Sequence, residues 1–132
     1  MSADSDLKFK RCVPCGGGEP PLERDAIDRL LAQVPLWRYV ETPRLTRTFR
    51  FRDFKEAMGF VNRMADLAEA EGHHPDFFVQ RNEVRVELWT HATGGLHEND
   101  FILAAKIDGL LPEADGRPLG GRYKEGWERP TG

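Results

Sequence analysis

Two stretches of alternating side chains bracket one long helical stripe, and that order restricts the fold more than any other feature of the chain. In the first stretch, Arg44–Arg52, Leu45, Phe49 and Phe51 share one face while Thr46, Thr48 and Arg50 share the other. In the second, about Val84–Thr90, Val86 and Leu88 fall on the face of Val84, and Arg85 and Glu87 on the opposite one. Between them Ala57, Phe60, Val61, Met64, Leu67 and Ala68 recur with the 3.6-residue period of a helix. Asp53 is placed to cap that helix at its start, Gly72 to cap its end after Glu71, and Pro75 prevents continuation. Arg47 interrupts the first alternation on its apolar side, which predicts a bulge or a sheet edge.

The remaining elements extend this pattern. Ala26, Ile27, Leu30, Leu31 and Val34 lie at helical spacing, and Pro35 stops the segment. A short strand is expected over Leu36–Val40. Another is expected over Phe77–Gln80, joined to the Val84 strand by a tight hairpin at Arg81-Asn82-Glu83. A last helix spans about His97–Leu110, offering Phe101, Leu103, Ala104 and Ile107 for burial. The order is α-β-β-α-β-β-α. Short turns between neighbouring strands favour a four-stranded antiparallel sheet with the helices packed on one face, an α+β fold.

Glycine and proline mark the boundaries. Pro14, Gly16, Gly17, Gly18, Pro20 and Pro21 lie in the first flank, and Pro112, Gly116, Pro118, Gly120, Gly121 and Gly126 in the last. Residues 1–21 therefore read as an irregular or mobile arm, 22–110 as the compact domain and 111–132 as a tail. A core near 90 residues buries limited surface alone, so partner subunits are expected to add to it.

Charge and composition exclude several functions. With 19 Lys and Arg against 22 Asp and Glu, the net charge of −3 gives no general attraction for nucleic acid or an anionic membrane. No apolar run approaches the roughly 20 residues that span a bilayer. MSADSDLKFKRC shows no apolar leader, so the cytoplasm is the expected location. Cys12 and Cys15 have the spacing of a metal or redox pair. Without a second pair or a following βαβ unit, they read as two reduced thiols on the arm. Arg38, Arg44, Arg47, Arg50 and Arg52, with Phe49 and Phe51 interleaved, read as a solvated sheet face or an oligomer rim rather than a nucleic-acid surface.

All four histidines, His73, His74, His91 and His97, fall in one window. The run Glu69-x-x-Gly72-His73-His74-Pro75 ends the long helix, and Thr90-His91 ends a strand. On a helix, adjacent side chains point about 100° apart. At an end broken by Gly72 and Pro75 both rings can turn toward one cleft, and the hairpin brings His91 to the same place. Imidazoles around a cleft suit general acid–base catalysis. Structural histidines at a helix end remain an alternative. So does a metal held by His73, His74 and His91, although adjacent histidines chelate one ion poorly and no His-x-His spacing occurs.

From Trp37 to Ile107 the chain resembles the pterin-4a-carbinolamine dehydratase (4a-hydroxytetrahydrobiopterin dehydratase) family. The resemblance rests on TRTFRFRDF, AEAEGHHPDF, Asn82-Glu83-Val84 and THATGGLHENDFILAAKID, with HHP followed by TH-x-x-x-GL-x-x-x-D. It implies an oligomeric hydro-lyase, a homodimer or homotetramer, needing neither a metal nor an organic cofactor. The implied reaction dehydrates a 4a-hydroxytetrahydropterin to quinonoid dihydropterin in tetrahydrobiopterin recycling, beside an aromatic amino acid hydroxylase. The resemblance makes His73, His74 and His91 catalytic. Trp89 and Thr90 would bind substrate with them, and Glu69 and Asp100 would support the site. It also implies an alternative, a protein-binding or dimerisation module resembling a transcriptional coactivator. Two positions depart from the family. Gly72 replaces an acid or amide before the first His, removing a polar contact. His97 replaces the Thr or Ser that caps the last helix, which should weaken its start.

Overall fold

The computed structural model describes residues 7–14 and 20–111, and the backbone alone of 113–114 and 117–118. Its main elements are α1 (Arg24–Leu31), β1 (Arg38–Val40), β2 (Arg44–Arg50), α2 (Phe54–Glu71), β3 (Asp76–Gln80), β4 (Glu83–Leu88) and α3 (Glu98–Asp108). They realise the expected α-β-β-α-β-β-α order. The caps of α2 form as anticipated. The Asp53 carboxylate accepts the Glu56 N–H at 2.9 Å, and Gly72 takes the left-handed conformation (φ +68°) with its N–H on Ala68 O.

The four strands form one antiparallel sheet in the order β1-β2-β4-β3. Val84, Val86 and Leu88 of β4 are fully buried beside Leu45 and Phe49 of β2, and the helices cover that face. Phe60 of α2 fills the contact, its ring 4.7 Å from Phe49 and 5.1 Å from Phe51. Trp37 packs edge-on against Phe49. The hairpin between β3 and β4 has a two-residue turn in which Arg81 takes a positive φ of 54°.

Arg47 marks neither a bulge nor an edge. The β2–β4 register runs unbroken from Leu45↔Leu88 to Arg50↔Glu83, and β2 is an interior strand. Its guanidinium can face the helices because it bonds the Asp108 carboxylate of α3 at 2.6 Å and lies over the Phe49 ring at 4.2 Å. Element ends also shift. β1 begins at Arg38, leaving Leu36 exposed, and β2 ends at Arg50, with Phe51 buried just beyond it. β4 ends at Leu88, after which Thr90 makes only an isolated bridge to Gly95.

Packing reaches back beyond residue 22. Leu7, in a short 3-10 turn (Leu7–Phe9), is 1% exposed and joins the core against α3. Residues 7–14 dock because side chains on α2 and α3 and in the turn after α1 bind the arm's backbone. Leu7 N–H donates to Gln33, Cys12 N–H to Glu71, and Val13 N–H to Asn99. Cys15, Gly16, Gly17 and Gly18 lie outside the described residues. So does the expected tail, apart from the pairing of Glu113–Ala114 with Arg117–Pro118. Among the described residues, no helix is long and apolar enough to cross a membrane.

Candidate functional site

Two chain segments converge on the first turn of α3. One is the exit from α2, where Gly72 reverses the chain and releases His73, His74 and Pro75 before β3. The other is the exit from β4, running through Trp89 and Thr90 into a 3-10 turn (His91–Thr93) and then Gly94 and Gly95. Close packing fixes this second segment. A side chain at Gly95 would place its Cβ 2.8 Å from Pro21, and Leu22 N–H bonds Leu96 O at 2.8 Å.

Asp100, the third residue of α3, is fully buried and collects three donors. His73 Nε2 bonds its Oδ1 at 2.6 Å, while Thr90 Oγ1 at 2.8 Å and the His97 N–H at 3.0 Å share its Oδ2. A carboxylate in the first turn of a helix is favoured by the exposed N–H groups there. Ionised, it only accepts, so His73 carries its proton on Nε2 and leaves Nδ1 as the nitrogen that can take another. His73 itself is 12% exposed. A buried acceptor bonding one ring nitrogen fixes both tautomer and ring orientation, the arrangement acid–base catalysis requires.

The other expected residues fall around this cluster in different ways. His74 is exposed and bonds the exposed Glu69 carboxylate through Nε2 at 2.8 Å. His91 is exposed, its ring 3.9 Å from that of Trp89. Trp89 also carries the Arg44 guanidinium 5.0 Å from its ring centre, a neighbour that β-strand periodicity did not suggest. Thr90 differs from expectation. It is 5% exposed and spends its hydroxyl on Asp100, so it supports the site from inside instead of lining it. His97 caps α3 from both sides: its Nδ1 accepts the Asn99 N–H at 2.9 Å and its own N–H goes to Asp100. Gly72 supplies the left-handed turn that an Asn or Asp also tolerates, so its first duty is to the backbone.

Among the described residues, no three His, Cys, Asp or Glu side chains are grouped to hold a metal ion, and the set His73, His74 and His91 is no exception. An open cavity of ≈460 Å³ lies elsewhere, lined by Leu7, Lys8, Gln33, Ala105, Asp108 and Gly109. The convergence of His73, Thr90 and His97 on Asp100 was not anticipated. Its one sequence signal is the capping spacing His97-x-x-Asp100.

Comparison with known proteins shows the family and the fold. The family described as Pterin 4 alpha carbinolamine dehydratase matches residues 20–110. A protein of Chlorobium limicola that carries the name of a pterin-4-alpha-carbinolamine dehydratase is 50% identical over 109 residues, covering 80% of this chain and 96% of that protein. One of the same name from Methylococcus capsulatus is 50% identical over 109 residues, covering 82% and 96%. Among solved structures, a transcriptional coactivator/pterin dehydratase from Brucella melitensis superposes with a TM-score of 0.65 at 34% identity, covering 68% of this chain and 97% of that one.

Proposed function

Because the chain belongs to the pterin 4 alpha carbinolamine dehydratase family, we propose that it is a hydro-lyase removing water from a 4a-hydroxytetrahydropterin by histidine acid–base catalysis. The observation that carries this reading is the His73–Asp100 bond, which holds one imidazole in a single tautomer at the mouth of a buried carboxylate. In the reaction, the C4a–O bond breaks and the departing hydroxyl takes a proton to leave as water. The neighbouring ring nitrogen gives up its proton, and its electron pair forms the new double bond to C4a. The products are quinonoid dihydropterin and water, with no net change in proton count.

His73 and His91 carry these two transfers. His73 accepts at Nδ1, since Nε2 is occupied by Asp100, and His91 acts from the rim, where it is open to solvent. His74, oriented by Glu69, and Trp89, its ring tilted against that of His91, position the flat pterin. The reaction calls for no oxidant, so turnover is expected without an organic cofactor and after chelation of metals. The reading places the protein in the cytoplasm, in tetrahydrobiopterin recycling beside an aromatic amino acid hydroxylase. It also makes the protein a homodimer or homotetramer, a state supported by the edge strand β3 with Phe77 and Phe78 exposed.

The test is quinonoid dihydropterin formation from the carbinolamine by wild type, His73→Ala and His91→Ala. Each variant should lose about 10²-fold or more in kcat. Three rates equal to the uncatalysed one overturn the proposal. A protein-binding role is the second reading, favoured by the open sheet face, where Arg38, Arg50, Arg85 and Phe78 are exposed. Partner capture retained by a triple histidine variant, with no turnover in the wild type, would support it.

A further inference from the structure

Residues 10–13 of the arm dock at the junction between the end of α2 and the start of α3. Asn99, 3% exposed, brackets the arm with two bonds: Val13 N–H to its Oδ1 at 3.0 Å, and its Nδ2–H to Val13 O at 2.7 Å. Glu71, the last residue of α2, accepts the Cys12 N–H at 2.9 Å and pairs with Lys106 of α3 at 3.1 Å. Cys12 Sγ lies 3.6 Å from the Asn99 carbonyl, and Lys10 pairs with Glu98. Each contact is made one or two residues from His73 or Asp100. Glu71 precedes His73 by two positions, and Asn99 precedes Asp100 by one.

We propose that residues 10–13 form a clasp that holds the end of α2 to the start of α3 and so sets His73 against Asp100. Asn99 is the positioning residue, acting through the helix start that carries Asp100. The bracket uses the arm's backbone, so one side chain on α3 fixes both the direction and the register of the arm. Undocking would leave the buried Asn99 amide to find other partners and the Glu71 carboxylate with Lys106 alone. It would also leave the joint between the α2 exit and α3 to two contacts, the Glu71–Lys106 pair and the bond between His73 and Asp100. The catalytic consequence rests on the dehydratase reading above; the structural claim does not.

Cys12 reports docking directly. Burial, followed by the neighbouring Glu71 carboxylate, raises its thiol from 9.0 to about 12, so the docked thiol should react about a thousandfold more slowly than a free one below pH 9. In a Cys15→Ser background Cys12 is the only thiol. The experiment compares that parent with Asn99→Ala and with Val13→Pro, which removes one bond from the arm side and leaves the helices untouched. Four quantities are read: iodoacetamide labelling of Cys12, the NMR signal of the His73 Nε2 proton, kcat and KM. Expected are labelling at least about tenfold faster, a weakened or upfield-shifted His73 signal, and kcat lower by about fivefold or more with KM within about twofold.

Fast labelling with a parent-like His73 signal overturns the clasp, as does slow labelling in both variants. If the parent shows no turnover, the dehydratase reading fails and the His73 signal still decides the clasp. If His73→Ala abolishes turnover while both undocked variants keep the parent kcat, the clasp fails and that reading stands.

Discussion

Replacing Asp100 by Asn changes one atom in the buried centre and should reverse a tautomer. Thr90 Oγ1 and the His97 N–H both donate to Oδ2, so the amide oxygen of the variant takes that place and its NH2 turns to His73. His73 Nε2 must then accept, which moves the ring proton to Nδ1, the nitrogen the reaction needs free. Three bonds to a charged acceptor become three neutral bonds, each about half as strong. The expected loss is about 2–3 kcal/mol, or a fall in Tm of about 8–12 °C, which leaves a domain of ordinary stability folded. The wrong tautomer should cost about 10³-fold in kcat, equivalent to about 4 kcal/mol of transition-state stabilisation. The assay follows quinonoid dihydropterin formation at a temperature well below the variant's Tm, with nitrogen-15 NMR assigning the tautomer. A variant within about threefold of wild-type kcat would mean that the His73 tautomer does not control the rate, as would low activity with His73 still protonated on Nε2.

Three further outcomes follow from particular residues. Leu7→Ala should destabilise the protein by about 2–3 kcal/mol in urea unfolding, since Leu7 is 1% exposed in the core; a loss under about 0.5 kcal/mol would mean that the arm does not contribute there. Gly95→Ala should cost about 1–3 kcal/mol because its Cβ meets Pro21 at 2.8 Å, whereas Gly72→Ala, with open space around it, should cost only the left-handed backbone penalty of about 1–2 kcal/mol. Burial lifts the Asp108 carboxyl above its ordinary 3.8, against the opposing pull of Arg47 and the Trp37 N–H. The folded protein therefore binds this proton more tightly than the unfolded chain. Stability from this group is present at acid pH and lost as pH rises through the folded pKa. Asp108→Asn cannot titrate, so the unfolding free energy of wild type minus variant should rise as pH falls from 7 toward 4; a flat difference contradicts this.

The elements that could be read from the chain are those encoded within a few residues. Alternation in β2 and β4 and the stripe on α2 needed only local spacing, and Asp53 and Gly72 cap α2 by local geometry. What stayed hidden depends on distant partners. Arg47 on the covered face makes sense only with Asp108, 61 residues away. The docked arm was illegible because its contacts come from Gln33, Glu71 and Asn99, not from any apolar period of its own. The histidine motifs could be read as motifs. Their division into a partly buried, carboxylate-held His73 and exposed His74 and His91 could not, since it follows from how α3 enters the core.

Whether His73 and Asp100 act as one unit is read from a double-mutant cycle in kcat/KM. If Asp100 works through His73, the loss in His73→Ala plus Asp100→Asn should equal the loss in His73→Ala alone. Losses that multiply would mean that the two residues act separately, and a His73→Ala protein that turns over the carbinolamine like wild type would mean that His73 takes no part.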